Sequence, residues 1–122
     1  MIKANIILGH SNWKRTIKKP GDYLQKRLKI LSKAPSFKRK NQEFSILLTN
    51  DKEMKNLNHK FRKKNKTTDV LSFPLKIKDK RKLYVGDIAI SYEIIKERSK
   101  KTNFFLEFDK MWIHGYLHLI GH

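Results

Sequence analysis

The first half of the chain alternates apolar and polar positions in a way that predicts strands and helices in turn. Ile2 to Leu8 is a short apolar run that predicts a strand, and a polar loop through Trp13 to Gly21 is expected after it. A helix that Pro35 ends is predicted next, from the i, i+4, i+7 spacing of Leu24, Leu28 and Leu31.

A second strand and helix are predicted from residue 44 onward. Phe44 to Thr49 is a compact run of apolar and β-branched residues, which favours a strand. Asn50 follows, with Glu53 three residues later, and this spacing resembles a capping box at the start of a helix. The buried face of that helix is expected to carry Met54, Leu57 and Phe61.

Two further strands are predicted between basic loops. Asp69 to Leu75 has the alternation of a strand, and Pro74 cannot donate a ladder hydrogen bond, so an edge position is expected. Leu83 to Ile90 predicts the next strand, with Gly86 as a bulge or a point of close approach. Ser91 is expected to cap a short helix after it.

The C-terminal segment is apolar on nearly every face from about Phe104, which predicts a helix buried in the core. Together these elements predict an α+β fold, a single small domain over residues 1–122 with a mixed sheet of about four strands packed on helices. A length of 122 residues with 39% hydrophobic content suits one modest core. Because the chain has no apolar run of roughly 18 residues, we expect a cytoplasmic protein without a membrane span.

The charge of the chain points to a polyanionic partner. Twenty-nine Lys and Arg against 11 Asp and Glu give a net charge of +18, which favours contact with nucleic acid over a lysine-rich composition without a partner. The chain has no cysteine, so any metal would be held by imidazole, carboxylate or water.

His114 and His118 are the strongest candidates for chemistry. Four residues apart on a helix, they lie on one face and can share one metal ion, although such a pair is also found as hydrogen-bonded core histidines. Gly115 leaves room for a close backbone approach, and Gly121 offers a helix stop. His122 lies beyond that stop and is a poor third ligand, because it would be about 12 Å along an unbroken helix from His114.

Four sequence blocks resemble the bacterial rRNA maturation endoribonuclease YbeY family, whose signature HGxLHLxGxDH is matched through its ninth position. The blocks are LNHKFR at Leu57 to Arg62, TDVLSFP at Thr68 to Pro74, GDIAIS at Gly86 to Ser91 and HGYLHLIGH at His114 to His122. Residues 1 to 45 agree with the family only in their predicted pattern of elements.

The resemblance implies a zincin-like metal site on the C-terminal helix, with one Zn²⁺ per chain. His114 and His118 match the first two ligands of the family, and the third would fall at position 124, outside the 122 residues. We therefore expect a domain that lacks its C-terminal segment, and a site that is incomplete and inactive if the protein ends there. Arg62 matches the catalytic arginine of the family, whose guanidinium would clamp a phosphate in the transition state.

The function that the resemblance implies is a zinc-dependent, single-strand-specific endoribonuclease that matures the 3′ end of 16S rRNA and takes part in ribosome quality control. Its partners would be rRNA and the small ribosomal subunit, without DNA specificity. We expect Lys63, Lys64 and Lys66 to attract the RNA backbone, and strand Asp69 to Leu75 to line the groove for the RNA.

Two rival functions remain open from the sequence. The first is a non-catalytic RNA- or ribosome-binding module, for which the charge suffices and the histidines are structural. The second is another metal hydrolase, such as a peptidase or a deaminase. Gly115 stands where a zinc peptidase carries glutamate, and the absence of cysteine disfavours a deaminase. The general base and the nucleophile are not identified by the sequence.

Overall fold

The computed structural model describes residues 1–62, 70–75 and 83–121, and these ranges form four strands and five α-helices. The strands are β1 (Ile2–Leu8), β2 (Gln42–Thr49), β3 (Val70–Pro74) and β4 (Tyr84–Ser91). The helices are α1 (Asn12–Thr16), α2 (Pro20–Lys33), α3 (Asp51–Arg62), α4 (Tyr92–Arg98) and α5 (Phe104–Leu119), with a 3₁₀ turn at Ser99–Lys101.

The four strands form one mixed sheet in the order β1-β2-β4-β3. β1, β2 and β4 run parallel to one another, whereas β3 pairs antiparallel with β4. The predicted α+β fold with a mixed sheet of about four strands is therefore confirmed. Among the described strands, β3 lies at one edge, as Pro74 indicated, and β1 lies at the other.

The two faces of the sheet are covered unequally. Phe44, Ile46 and Leu48 alternate along β2 and pack into the main core, which α2, α4 and α5 complete. The opposite face carries a smaller buried cluster of Met54, Leu71 and Ala89, beneath α3. Because α3 alone among the described helices covers this second face, part of it remains open.

Gly86 is a point of close approach, as predicted. Its φ of +143° favours glycine, and a Cβ there would overlap the carbonyl oxygen of Phe73 and lie 2.8 Å from Cδ2 of Leu119. The register between β2 and β4 shifts beside this glycine, at Glu43 and Phe44. The bulge thus lets β3 and the end of α5 meet closely at the start of β4.

The segment predicted as a polar loop contains a short helix and a core residue. Trp13 lies in α1, is fully buried, and donates its indole N–H to the carbonyl oxygen of Thr49 at 2.9 Å. Its ring packs against Tyr92 and Phe104, with centroids 5.5 and 5.7 Å away. The prediction was wrong because a single apolar residue has no periodicity, and only these long-range contacts bury it.

Two other expectations about burial are wrong. Phe61 was predicted on the buried face of α3, but it is 59% exposed because this end of α3 borders an open cleft on the sheet face. α5 is not buried on every side: Phe105 is 39% and Leu106 43% exposed, since one helix on one face of a sheet keeps a side toward solvent. None of the helices in the described ranges is long and apolar enough to cross a bilayer.

The two predicted helix caps are present. Asn50 accepts a hydrogen bond from the backbone N–H of Glu53 at 2.9 Å, at the start of α3. Ser91 accepts one from Ile94 at 3.5 Å, at the start of α4. Both caps fix the points where the chain leaves a strand and enters a helix.

Candidate functional site

α5 carries the histidine pair, and its ends are fixed locally. Asn103 caps its first turn by accepting from the backbone N–H of Leu106 at 2.8 Å. At the other end Gly121 has a φ of +94°, and its N–H donates to the carbonyl oxygen of His118 at 3.2 Å. The helix stop predicted at Gly121 is confirmed.

His114 and His118 both lie on the exposed surface of α5. On an α-helix they are about 6 Å apart along the axis and roughly 40° apart around it, so both imidazoles project from the same flank. Neither imidazole forms a hydrogen bond or an ion pair with another residue of the described ranges. The alternative of a hydrogen-bonded core pair therefore finds no support there, and both rings are accessible to a ligand.

Gly115, between the histidines, sets the height of α5 above the sheet. A Cβ at this position would lie 2.9 Å from Cγ2 of Ile88 in β4. On the same helical turn, the hydroxyl of Ser72 in β3 donates to the carbonyl oxygen of Gly115 at 3.4 Å. The close approach that the sequence suggested at Gly115 is thus present, and it holds the histidine flank beside the edge strand.

Arg62 is the last residue of α3, and its side chain lies outside the part of the chain that the structure describes. The same holds for His122 and for the loop lysines Lys63, Lys64 and Lys66. Asp69 and the basic segment Lys76 to Lys82 also fall outside the described residues.

A cleft of about 590 Å³ opens on the sheet face opposite α5. Phe61 and Phe73 form one wall, with ring centroids 5.5 Å apart in an edge-to-face arrangement. The hydroxyl of Tyr84 donates to the carboxylate of Asp87 and lies 2.7 Å from Oγ of Ser45. Burial, together with this bond to Asp87, raises the pKa of Tyr84.

The residues that line the cleft come from α3 and all four strands, whereas the sequence predicted a groove only along strand Asp69 to Leu75 and did not indicate the other walls. The one available signal was the alternation of β3. Its Ser72 points toward α5, whereas the next residue, Phe73, points into the cleft. Edge strand β3 therefore separates the histidine flank from the cleft by the thickness of the sheet.

The fit of a metal ion can be judged from the donor set. Imidazole is a common zinc ligand, and an i, i+4 pair on a helix supplies two of the three or four ligands that zinc requires. Within the described ranges, no group of three or more His, Asp or Glu side chains is arranged to hold an ion. The pair therefore fits part of a zinc site, and a further ligand would have to come from elsewhere.

The fold and the site define a class of protein: a small α+β domain in which a C-terminal helix presents an exposed histidine pair beside the edge strand of a mixed sheet. The family model described as "Endoribonuclease YbeY" matches residues 7–122. The chain belongs to the YbeY family, as the four sequence blocks indicated.

Two relatives with that name align with the whole chain, and so does one solved structure. An Endoribonuclease YbeY of Pelagibacter ubique is 42% identical over 128 residues, which cover 100% of this chain and 82% of the relative. One from Bartonella quintana is 37% identical and covers 100% and 80%. A Thermotoga maritima protein solved in solution has a TM-score of 0.61 at 30% identity, with 100% of this chain and 73% of that one covered.

Proposed function

We propose that this protein is a zinc-dependent, single-strand-specific endoribonuclease that acts in rRNA processing, on the 3′ end of 16S rRNA, and in ribosome quality control. The observation that carries the proposal is the pair of accessible imidazoles on one flank of α5, in a member of a family whose relatives are named endoribonucleases. The small ribosomal subunit is the proposed partner.

His114 and His118 would hold the zinc ion, with the third ligand at position 124 of a longer protein. When bound, zinc supplies Lewis-acid chemistry, lowering the pKa of water and polarising a phosphoryl oxygen. Gly115 contributes indirectly, because its contact with Ile88 and its bond from Ser72 fix the turn of α5 that bears both rings. A fixed pair of donors needs little reorganisation when a ligand binds.

Arg62 would stabilise the scissile phosphate. A guanidinium donates two parallel hydrogen bonds to phosphate oxygens, which suits the charge that develops there in the transition state. Arg62 is the last residue of α3 and directly follows Phe61, which forms a wall of the cleft. The proposed assignment rests on the match of Leu57 to Arg62 with the family block.

Edge strand β3 would line the path of single-stranded RNA. Unpaired bases can stack on aromatic side chains, and both Phe61 and Phe73 present ring surface at the cleft. Ser72 and Phe73 face opposite sides of β3. An RNA strand that crosses this edge of the sheet could therefore place a phosphate at the histidines and a base in the cleft. A base inside a duplex is already stacked on its neighbours and cannot reach these rings, so we expect the protein to prefer single strands.

The test is cleavage of single-stranded RNA by the full-length protein, with zinc removed by a chelator and then restored. We expect activity to be lost and recovered, and to be lost in His114→Ala with His118→Ala. His59→Ala is the matched control, because His59 is an exposed histidine of α3. Undiminished cleavage by the double variant would refute the metal mechanism. RNA binding without cleavage or bound zinc would favour the non-catalytic module instead.

A further inference from the structure

The positive charge of the chain is concentrated in parts of the sequence, which argues against a uniform lysine bias. Residues 10–40 contain eleven Lys or Arg and a single acidic residue, Asp22, a net charge of +10. Residues 83–122, which include α4 and the histidine helix, contain five basic and five acidic residues and are neutral. The part of the fold built from α1 and α2 therefore carries much of the net positive charge.

The exposed face of α2 carries part of this charge as a row of lysines. Lys26, Lys29 and Lys33 recur at i, i+3, i+7 on the side of α2 opposite the buried Leu24 and Leu28. Further exposed basic residues lie just before and just after the helix. We call the set the α2 basic surface, which consists of Lys18, Lys19, Lys26, Lys29, Lys33, Lys38 and Arg39.

The α2 basic surface lies away from the histidine flank. Tyr23 and Arg27 of α2 contact Asp109 of α5, at 3.0 and 3.5 Å. Asp109 and His118 are nine residues apart, which places them roughly 180° apart around an α-helix. With interaxial distances of about 8–10 Å and helix diameters of about 10 Å, the α2 basic surface is on the order of 20 Å from the histidines.

We propose that the α2 basic surface is a second RNA-binding site, which holds the phosphate backbone of a duplex region next to the single strand that is cut. The inference rests on the proposed nuclease function for its substrate. Exposed lysines with a single acidic neighbour, Asp22 in the first turn of α2, attract phosphates and release counterions, independently of base sequence. A duplex is the occupant that such a surface fits, because double-stranded RNA is recognised by its shape and backbone.

The aromatic residues of this segment support a duplex over a single strand. Tyr23 packs against Phe105 and Phe108 with centroid distances of 5.1 and 6.1 Å, and Phe37 packs against Tyr116. Their rings are thus engaged in the core and are not open for stacking with unpaired bases. An anionic membrane is a poorer fit, since Leu24 and Leu28 are buried and Ile30 alone among the large apolar side chains of α2 is exposed, which is too little apolar surface to insert.

The test compares two RNAs: a hairpin with a single-stranded tail, and a single-stranded oligonucleotide of about three nucleotides, which is too short to span some 20 Å even when its backbone extends to about twice the duplex rise of roughly 3.4 Å per nucleotide. The variant is Lys26→Gln, Lys29→Gln and Lys33→Gln together. The matched control is Lys96→Gln, Lys100→Gln and Lys101→Gln, which removes the same charge from exposed positions of the neutral half.

For the α2 variant we expect hairpin affinity to fall by about tenfold or more at moderate salt. The slope of log affinity against log salt should become shallower by about two to three, near one unit for each phosphate that is no longer neutralised by a lysine. Binding and cleavage of the short oligonucleotide should not change, and the control should shift the hairpin slope much less. Equal reductions for the control, or for the short oligonucleotide, would overturn the proposal.

Two further measurements separate this site from its alternatives. Anionic phosphatidylserine vesicles should bind weakly, and α2-dependent binding to vesicles without α2-dependent binding to the hairpin would overturn the RNA assignment. In the background of His114→Ala with His118→Ala, the α2 variant should still lower hairpin affinity by about the same factor as it does in the wild type. If the wild type cleaves no RNA but the α2 variant still fails to bind the hairpin, the nuclease function fails and the second site stands.

Discussion

Gly115 of α5 lies directly against Ile88 of β4, so that a Cβ on the glycine would come within 2.9 Å of Cγ2 and 3.0 Å of Cδ1. This contact brings the histidine helix down onto the sheet between its two candidate ligands. A β-branched isoleucine is stiff and gives way poorly. The position therefore links the stability of the fold to the placement of the site.

We expect Gly115→Ala to lower the free energy of unfolding by about 1 kcal/mol. Overpacking costs about 1–3 kcal/mol, and the better helix propensity of alanine recovers up to about 1 kcal/mol of it. Denaturant unfolding measures the change. Gly21→Ala is the matched control, because nothing lies within 4 Å of its added Cβ, and it should be neutral or stabilising. A stabilised Gly115→Ala would contradict the close contact.

Zinc should stabilise the full-length protein against heat. A ligand at about 100 times its dissociation constant adds about 2.7 kcal/mol when it binds only the folded state. Thermal unfolding with zinc and then with a chelator measures the effect, and metal analysis gives the stoichiometry. His114→Ala or His118→Ala should remove the stabilisation, whereas His59→Ala should keep it. An identical gain in the double variant would place zinc elsewhere.

Arg62→Lys should reduce turnover far more than RNA binding. Lysine keeps the positive charge but cannot donate two parallel hydrogen bonds to the phosphate, and that difference matters most in the transition state. Steady-state kinetics together with binding measurements on single-stranded RNA separate the two effects. Arg98→Lys, at an exposed position at the end of α4, is the control and should alter neither. Equal reductions in turnover and binding would indicate a phosphate contact only.

Phe61→Ala should weaken binding of single-stranded RNA while leaving the fold nearly unchanged. The side chain is 59% exposed, so its removal costs little stability, whereas the absence of a stacked base costs about 1–3 kcal/mol of binding. Ile30→Ala is the control, because Ile30 is 64% exposed and lies on α2, away from the cleft. Unchanged RNA affinity in Phe61→Ala would remove the cleft from the RNA path.

Stability should fall at high pH through Tyr116. Burial raises the pKa of Tyr116 to about 12 from 10.0, so the folded state holds its proton longer than the unfolded chain does. The stabilising contribution is therefore complete below about pH 10 and is lost as pH rises from about 10 to 12. Lysines titrate in the same range, so the difference from Tyr116→Phe is the quantity to measure. A difference independent of pH would contradict this linkage.

Local patterns predicted most of the elements, because strands and helices with a regular apolar repeat can be recognised from the sequence alone. The i, i+4, i+7 leucines of α2 and the caps Asn50 and Ser91 all appear in the structure. Trp13 and Phe61 were predicted wrongly. Trp13 is buried because Thr49 and Tyr92, far along the chain, pack against it, and Phe61 is exposed because it lies at the uncovered part of the sheet face.

The sequence by itself determined the histidine pair, because helical spacing alone fixes His114 and His118 on one flank, and the four sequence blocks indicated the family. Only the tertiary structure decided that this flank is exposed and adjoins edge strand β3, with a cleft on the other side and the α2 basic surface beyond α5. The physical reason is that spacing within one helix is local geometry, whereas exposure and neighbours depend on how distant segments pack.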